Sequence, residues 1–221
     1  MTAQRAFRFE RASRLRPEDR AAAYARAFPQ YPASHFVVTA SGFCQAHWVL
    51  GNSYGNSSGY YGSFPGGLLR RIWALYPDVD DPVLHVCSGS LRPTERGVRL
   101  DVRPAIPTKA GTVRPSVVGD ARALPFVDGA FELAIADVPY SAAHAAHYGT
   151  SMPSRRHVLA AARRALKADG QLAWLDTKLP MYRKDEWTNW GHVCVVVSTN
   201  HDVRLLSLFA RRADGDGGRS V

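Results

Sequence analysis

Apolar residues recur along the chain with two different periods. Helical spacing appears in "PEDRAAAYARAF" from Pro17, where Pro takes an early position, acids fill the first turn and Pro29 ends the run. It returns in "GGLLRRIWALY" (66–76), with Leu68, Leu69, Ile72, Leu75 and Tyr76 in phase and Arg70 and Arg71 between them. "SRRHVLAAARRALKADG" (154–170) reads as a third helix, ending at Gly170. Other apolar runs are short and bounded by turn residues, which marks strands. They are "HFVVTA" (35–40), "PVLHVC" (82–87), "GVRLDV" (97–102), "SVVGD" (116–120), "ELAIAD" (132–137) and "QLAWLDT" (171–177). "HVCVVVSTN" and "HDVRLLSLFAR" flank Asn200-His201 as an antiparallel hairpin.

Strands alternating with spacers and closed by a hairpin predict an α/β fold, a Rossmann-like, mostly parallel sheet with a C-terminal antiparallel hairpin. Residues 1–16 are Arg-rich and unpatterned, and 213–221 ("ADGDGGRSV") reads as a disordered tail. The expected division is an N-terminal extension over 1–61 that packs on the core, a main domain over 62–212, and the tail. Within the extension, "GNSYGNSSGYYGSFPGG" (51–67) is either a surface loop or a lid over a ligand. In the second case Tyr60 and Tyr61 would stack on a flat ring.

A chain of 221 residues that is 46% apolar supports a substantial core. Charge changes the picture more: 28 Lys+Arg stand against 19 Asp+Glu, a net +9, and lysine occurs only at 109, 167, 178 and 184. Guanidinium forks suit phosphates and flat bases, so a polyanionic partner is expected. Cys44, Cys87 and Cys194 share no metal-like or disulfide-framework spacing. His144 and His147 lie three apart without a patterned third ligand, so no metal is expected. With no signal-peptide core and no membrane-spanning run, a cytoplasmic location is expected.

Ligands of parallel sheets bind beyond the carboxyl ends of the strands, and each of those ends carries a useful group. After the first comes Cys87-Ser88-Gly89-Ser90-Leu91, a small-residue turn that lets backbone approach a ligand closely. The second ends at Asp101, placed to accept from ribose hydroxyls, and the third gives Asp120-Ala121, a carboxylate for an exocyclic amine. The fourth gives Asp137-Val138-Pro139-Tyr140. Further on, "LPMYRKDEWTNW" (179–190) mixes Arg183 and Lys184 with aromatics, as either an edge-packing loop or a nucleic-acid-facing surface.

With these strand ends in place, residues 62 to 210 resemble the class I S-adenosylmethionine-dependent methyltransferases. "VLHVCSGSL" is similar to that family's glycine-containing first motif, "RLDV" to its acidic second motif, and "VVGDARALPFVDGAFELAIAD" to its third with the strand that follows. "ALKADGQLAWLDT" resembles its helix end, turn and fifth strand. "DVPY" resembles the Asp-Pro-Pro-Tyr signature of amino-methyltransferases acting on bases, and "GSFPGGLLRRI" the segment that touches the methionine part of the cofactor. The compact arrangement looks most like the small DNA methyltransferases of phages and prophages.

The resemblance implies that S-adenosylmethionine is held by Phe64, Pro65, His85, Cys87, Ser88, Gly89, Asp101, Asp120, Ala121 and Asp137. It implies that Asp137, Pro139 and Tyr140 carry out transfer to an exocyclic amine, DNA adenine N6 first, with DNA favoured over RNA. Tyr140, Ser141, Tyr60, Tyr61, Arg183 and Lys184 would meet the substrate. Asp137 and a carbonyl of Val138 or Pro139 would accept the amine hydrogens while Pro139 stiffens the turn.

This sequence departs from the pattern at His85, where the family has an acid, at Leu91, where it has Gly, and at Val138, where it has Pro. Only "SGSLRPTERG" (88–97) joins the first two strands, too short for a full crossover helix. The first crossover helices are therefore expected to be shortened or missing, with the 17–28 and 66–76 helices covering the bared face. A small-molecule methyltransferase, or a nucleic-acid-binding protein with a degenerate cofactor site, remains an alternative.

Overall fold

Strands that are apolar on both faces must be covered on both faces, and this dictates the layers. The computed structural model describes residues 15–32, 35–50, 63–80, 82–198 and 202–213. Its strands are β1 (Phe36–Val38), β2 (Cys44–Leu50), β3 (Val83–Val86), β4 (Val98–Asp101), β5 (Ile106–Thr108), β6 (Gly111–Val113), β7 (Val117–Val118), β8 (Phe131–Asp137), β9 (Leu166–Asp176), β10 (Trp187–Val197) and β11 (Val203–Arg211). Nine form one sheet in the order β1-β2-β10-β11-β9-β8-β3-β4-β7, and β5 pairs with β6 as a separate hairpin. Pairing is parallel from β9 through β8, β3 and β4 to β7, whereas β11 runs antiparallel between β9 and β10. The fold is α/β, with the mostly parallel sheet and antiparallel C-terminal pair read from the apolar runs. Among the described residues, no helix is long and apolar enough to cross a membrane.

Successive residues of each strand face opposite sides, so the sheet sorts the core into two. Val83, Leu133, Ile135, Ala173, Leu175 and Val193 meet helices α1 (Pro17–Ala27) and α2 (Leu68–Leu75) through Tyr24, Leu68, Ile72 and Leu75. Leu84, Val86, Ala134, Ala136, Leu172 and Trp174 meet α4 (Arg155–Ala165) through Val158, Leu159, Ala162 and Ala165. As expected, α1 and α2 cover the face that the missing crossover helices would leave bare. The segment before residue 62 does more than pack on the core, because β1 and β2 extend the main sheet beside β10.

Two arginines lock α1 and α2 together. Arg20 is only 2% exposed, donates to the Leu75 carbonyl and pairs with both oxygens of Asp78 at 2.8 and 3.0 Å. Arg71 donates to the hydroxyls of Tyr24 and Tyr31 and lies over the rings of Phe28, Tyr31 and Trp48. Asp78→Ala strands the Arg20 cation in the interior. Urea unfolding is expected to show a loss of about 3 kcal/mol.

No helix spans β3 to β4 or β4 to β7. Buried and half-buried side chains supply hydrogen bonds that a helix would have made internally. Arg99 donates to the carbonyls of Leu91 and Arg114, one from each connection. Arg96 reaches the Val79 carbonyl, and Trp73 reaches Glu95. Gly97 returns the chain at φ +100, where a Cβ would sit 2.7 Å from the Val83 carbonyl oxygen. In the second connection the β5–β6 hairpin stands where a crossover helix would run.

Three elements depart from the sequence reading. Helix α4 stops at Ala165 rather than running to Gly170, because Leu166 already pairs with Phe131 as strand. The extra residues are absorbed by a bulge at which Asp169 takes φ +60 and a Cβ on Gly170 would meet Leu166 and Lys167 at 2.7 Å. Strand β2 was not anticipated. Strand β10 begins at Trp187, inside the segment expected to be a loop. The N-terminal arm over 1–14, the loop 51–62, the 199–201 turn and the tail from 214 lie outside the described residues.

Candidate active site

The strand order reverses between β3 and β8, from which the chain proceeds outward in opposite directions. At the carboxyl ends of these strands lies a cavity of about 680 Å³, the crevice position expected of open parallel sheets. It is lined by Cys87 and Gly89 after β3, Asp101 at the end of β4, Asp120 and Ala121 after β7, and Asp137 through Tyr140 after β8. Thr177 after β9, Val197 of β10 and Arg204 of β11 close the other side, and residues around Tyr148 form a wall. A cavity of this size holds a nucleoside-sized ligand and a further flat group.

Three backbone donors of the first turn are already committed. The Ser88 amide donates to the Leu100 carbonyl, the Gly89 amide to Asp101 Oδ2 at 2.9 Å, and the Leu91 amide to the Ser88 carbonyl. Asp101 also accepts from the Arg103 amide through Oδ1. The turn is thus braced against Asp101 and is not a nest of amides open to a phosphate. Cys87 takes φ +58, a left-handed conformation costly for a residue with a Cβ. Burial, with Asp101, Asp137 and Asp120 nearby, pushes its thiol well up, which favours the thiol over the thiolate. Cys87→Gly relieves the backbone and is expected to stabilise the protein by about 1 kcal/mol in urea unfolding.

Asp120 is engaged by its own turn. Arg122 donates from its amide and in a fork from its guanidinium, with the shortest contact 2.6 Å, and holds the carboxyl below its usual range. A ligand amine would share Asp120 with Arg122.

Asp137 has the opposite environment. Burial raises its pKa to about 6, against the lowering influence of the Arg204 cation and the Tyr140 hydrogen bond, with Asp176 adding to the rise. The Tyr140 hydroxyl donates to Asp137 Oδ1 at 2.7 Å, and the Arg204 guanidinium lies 5.1 Å from the Tyr140 ring centre. Burial next to this carboxylate raises the Tyr140 hydroxyl well above its usual range, so it remains a donor. One face of Tyr140 is therefore taken by Arg204.

The loop is fixed from behind. Arg155 at the start of α4 pairs with both oxygens of the fully buried Asp176, at 2.6 and 3.0 Å, and also donates to the Tyr140 carbonyl at 3.0 Å. Val138, where the signature has Pro, is 1% exposed and packs into the second core. An apolar side chain there is held by its neighbours rather than by a ring.

Cys87, Gly89, Asp101, Asp120, Ala121, Asp137, Pro139 and Tyr140 come together at the cavity, and other expected residues do not. His85 is fully buried on the first face. Burial lowers its pKa, and its neutral ring donates from Nε2 to the Arg96 carbonyl at 2.7 Å. Ser88 is buried behind the turn, while Phe64 packs into the first core and meets His85 edge-on. Pro65 is buried and begins α2 by accepting from the Leu68 amide; Ser63 faces the cavity instead, bonded to Ser90. Ser141 caps α3 (Ala142–His147), accepting from the His144 amide, and also bonds that ring.

Arg183 and Lys184 precede β10, at the opposite end of the sheet from the cavity, and Arg183 is paired with Asp185 and Glu186. The aromatics beside them pack inward: Tyr182 and Trp187 against Phe209, and Trp190 onto Gln171. Tyr60 and Tyr61 lie outside the described residues. Arg204 and Thr177 were missed, whereas the wall around Tyr148 falls in 142–153, a segment expected to supply specificity. Only Arg204 carried a sequence signal, as the cation that opens an alternating strand.

No family model matches the chain, and no curated protein matches it significantly in sequence.

Proposed function

We propose that the protein moves a methyl group from S-adenosylmethionine to an exocyclic amino group of a nucleic-acid base, DNA adenine N6 foremost. The observation that carries this reading is Asp137, a carboxylate with pKa about 6 at the central strand end of a cavity placed at the strand-order reversal.

The cavity residues suit the cofactor. Its floor is acidic, with Asp101, Asp120 and Asp137, and the Ser88, Gly89 and Leu91 amides of its turn are committed. Those features favour a phosphate-free, hydroxyl-bearing cation over a nucleotide phosphate. Asp101 and Asp120 would hold the nucleoside part, with Gly89 and Ala121 permitting close approach. When bound, the cofactor supplies an electrophilic methyl group.

An exocyclic amine is a weak nucleophile because its lone pair is delocalised into the ring. Asp137, ionised at neutral pH, accepts an amino hydrogen through Oδ2, since Oδ1 is occupied by Tyr140. That hydrogen bond draws the nitrogen toward tetrahedral geometry, and a pKa near 6 lets the same carboxylate take up the released proton. Tyr140 and Arg155 keep the acceptor in place.

Calorimetry tests the cofactor half of this reading. S-adenosylmethionine and its demethylated product should both give saturable binding. No heat at millimolar ligand would overturn it and favour a nucleic-acid-binding protein with a degenerate cofactor site.

A further inference from the structure

Three arginines line the cavity, and they are not equivalent. Arg103 lies 3.8 Å from Asp101, and Arg122 pairs with Asp120 at 2.6 Å. The Arg204 side chain makes no ion pair or hydrogen bond among the described residues, and its Nε is buried without a partner. Its guanidinium lies over the face of the Tyr140 ring, and its charge also acts on the Asp137 carboxylate without pairing with it. A partly buried guanidinium with an unmet donor is costly, and an anion relieves that cost.

The strand order says which ligand brings the anion. Asp101 and Asp120 follow β4 and β7 on one side of β8, whereas Arg204 stands on β11, on the other side and beyond β9. Asp137, at the end of β8, divides the two halves. The nucleoside part of the cofactor belongs to the acidic half, so Arg204 belongs to the half left for the acceptor. Asp137 is engaged with Tyr140, and a ligand anion on Arg204 would lie within reach of a base presented to Asp137.

We infer that Arg204 is a specificity-determining residue that binds the phosphate next to the target base, so that the acceptor is a nucleotide unit of DNA rather than an uncharged metabolite. This deepens the methyltransferase reading and rests on its assignment of the two halves. Stacked on Tyr140, the guanidinium presents a preorganised fork to a phosphate and ties phosphate capture to the ring beside Asp137.

The test is equilibrium binding without cofactor, so that it is independent of methyl transfer. The probe is a short labelled single-stranded DNA containing adenine, read by fluorescence anisotropy over a range of salt. Arg204→Gln is expected to weaken binding about tenfold and to lower the log–log salt slope by about 0.7 to 1, the signature of one lost phosphate contact. Arg204→Lys should keep most of the slope. Arg26→Gln, on the exposed side of α1, should change neither value, and thermal melting checks that each variant is folded.

Competition by adenosine 5′-monophosphate and by adenosine locates the phosphate. Loss of Arg204 should weaken the nucleotide, or only the oligonucleotide if a diester is required, and leave adenosine unchanged. The inference is overturned if wild-type protein does not bind the oligonucleotide, if Arg204→Gln keeps affinity and slope, or if adenosine weakens equally. Arg204-dependent binding in a protein that transfers no methyl group would sink the catalytic reading alone.

Discussion

Asp137→Asn is expected to lower methyl transfer about a thousandfold while leaving cofactor affinity within about twofold. Asn keeps the size of the side chain and can still accept from Tyr140, but it cannot take up a proton. The pH profile of the wild type carries the same signature. With a pKa of about 6, the rate should rise tenfold per pH unit below that value and level off above it. The linked stability has a definite sign. A carboxylate raised in the folded state adds stability below its unfolded pKa and loses it as pH climbs through about 6. Asp137→Asn should therefore be more stable than wild type at pH 7.5, by about 1–2 kcal/mol, and the gap should close near pH 4. Urea unfolding at the two pH values measures it. A variant both inactive and stabilised marks a group kept for chemistry rather than for the fold.

Arg155→Ala is expected to cost about 3–5 kcal/mol, a large share of a domain's stability. It leaves Asp176 fully buried with only Trp174 Nε1 and the Thr177 amide and hydroxyl as donors, and it frees the Tyr140 carbonyl. A paired replacement separates structure from positioning. Arg155→Met with Asp176→Leu removes both charges and should recover most of the stability. Turnover should stay low, because nothing then holds the Tyr140 carbonyl, while calorimetric cofactor binding is kept. Recovery of full turnover in the double variant would show that Arg155 does not position the loop.

These two residues differ in how plainly the sequence announced them. A parallel sheet brings its strand ends to one edge, so Asp101, Asp120 and Asp137 were legible as a set once the apolar runs had been marked. Arg155 and Arg204 were not. Arg155 lies in an Arg-Arg pair at a helix start, where nothing local says that a buried carboxylate waits at the end of β9. Arg204 reaches the cavity only because β11 inserts antiparallel between β9 and β10, which reverses its ends relative to its neighbours. Arg183 and Lys184 show the converse error. Basic residues among aromatics looked like a nucleic-acid surface, yet they precede a strand and so fall at the wrong end of the sheet.

The fold divides similarly. Continuous apolar runs exposed β3, β4, β8 and β9, whereas β2, with Gln45 and His47 on its outward positions, lacked such a run. Helix α4 was read too long because Leu166 and Lys167 continue a helical spacing that pairing with Phe131 overrides. The absent crossover helices were legible from chain length alone. What replaced them, buried Arg99 with half-buried Arg96 and Trp73 meeting carbonyls and an acid, required the tertiary structure.

Incubation of the protein with DNA and S-adenosylmethionine labelled in its methyl group, followed by nucleoside mass spectrometry, tests the central claim most directly. The account predicts labelled N6-methyladenine from wild-type protein and none from Asp137→Asn. Label found only in small molecules, or equal labelling of DNA by both proteins, would contradict it.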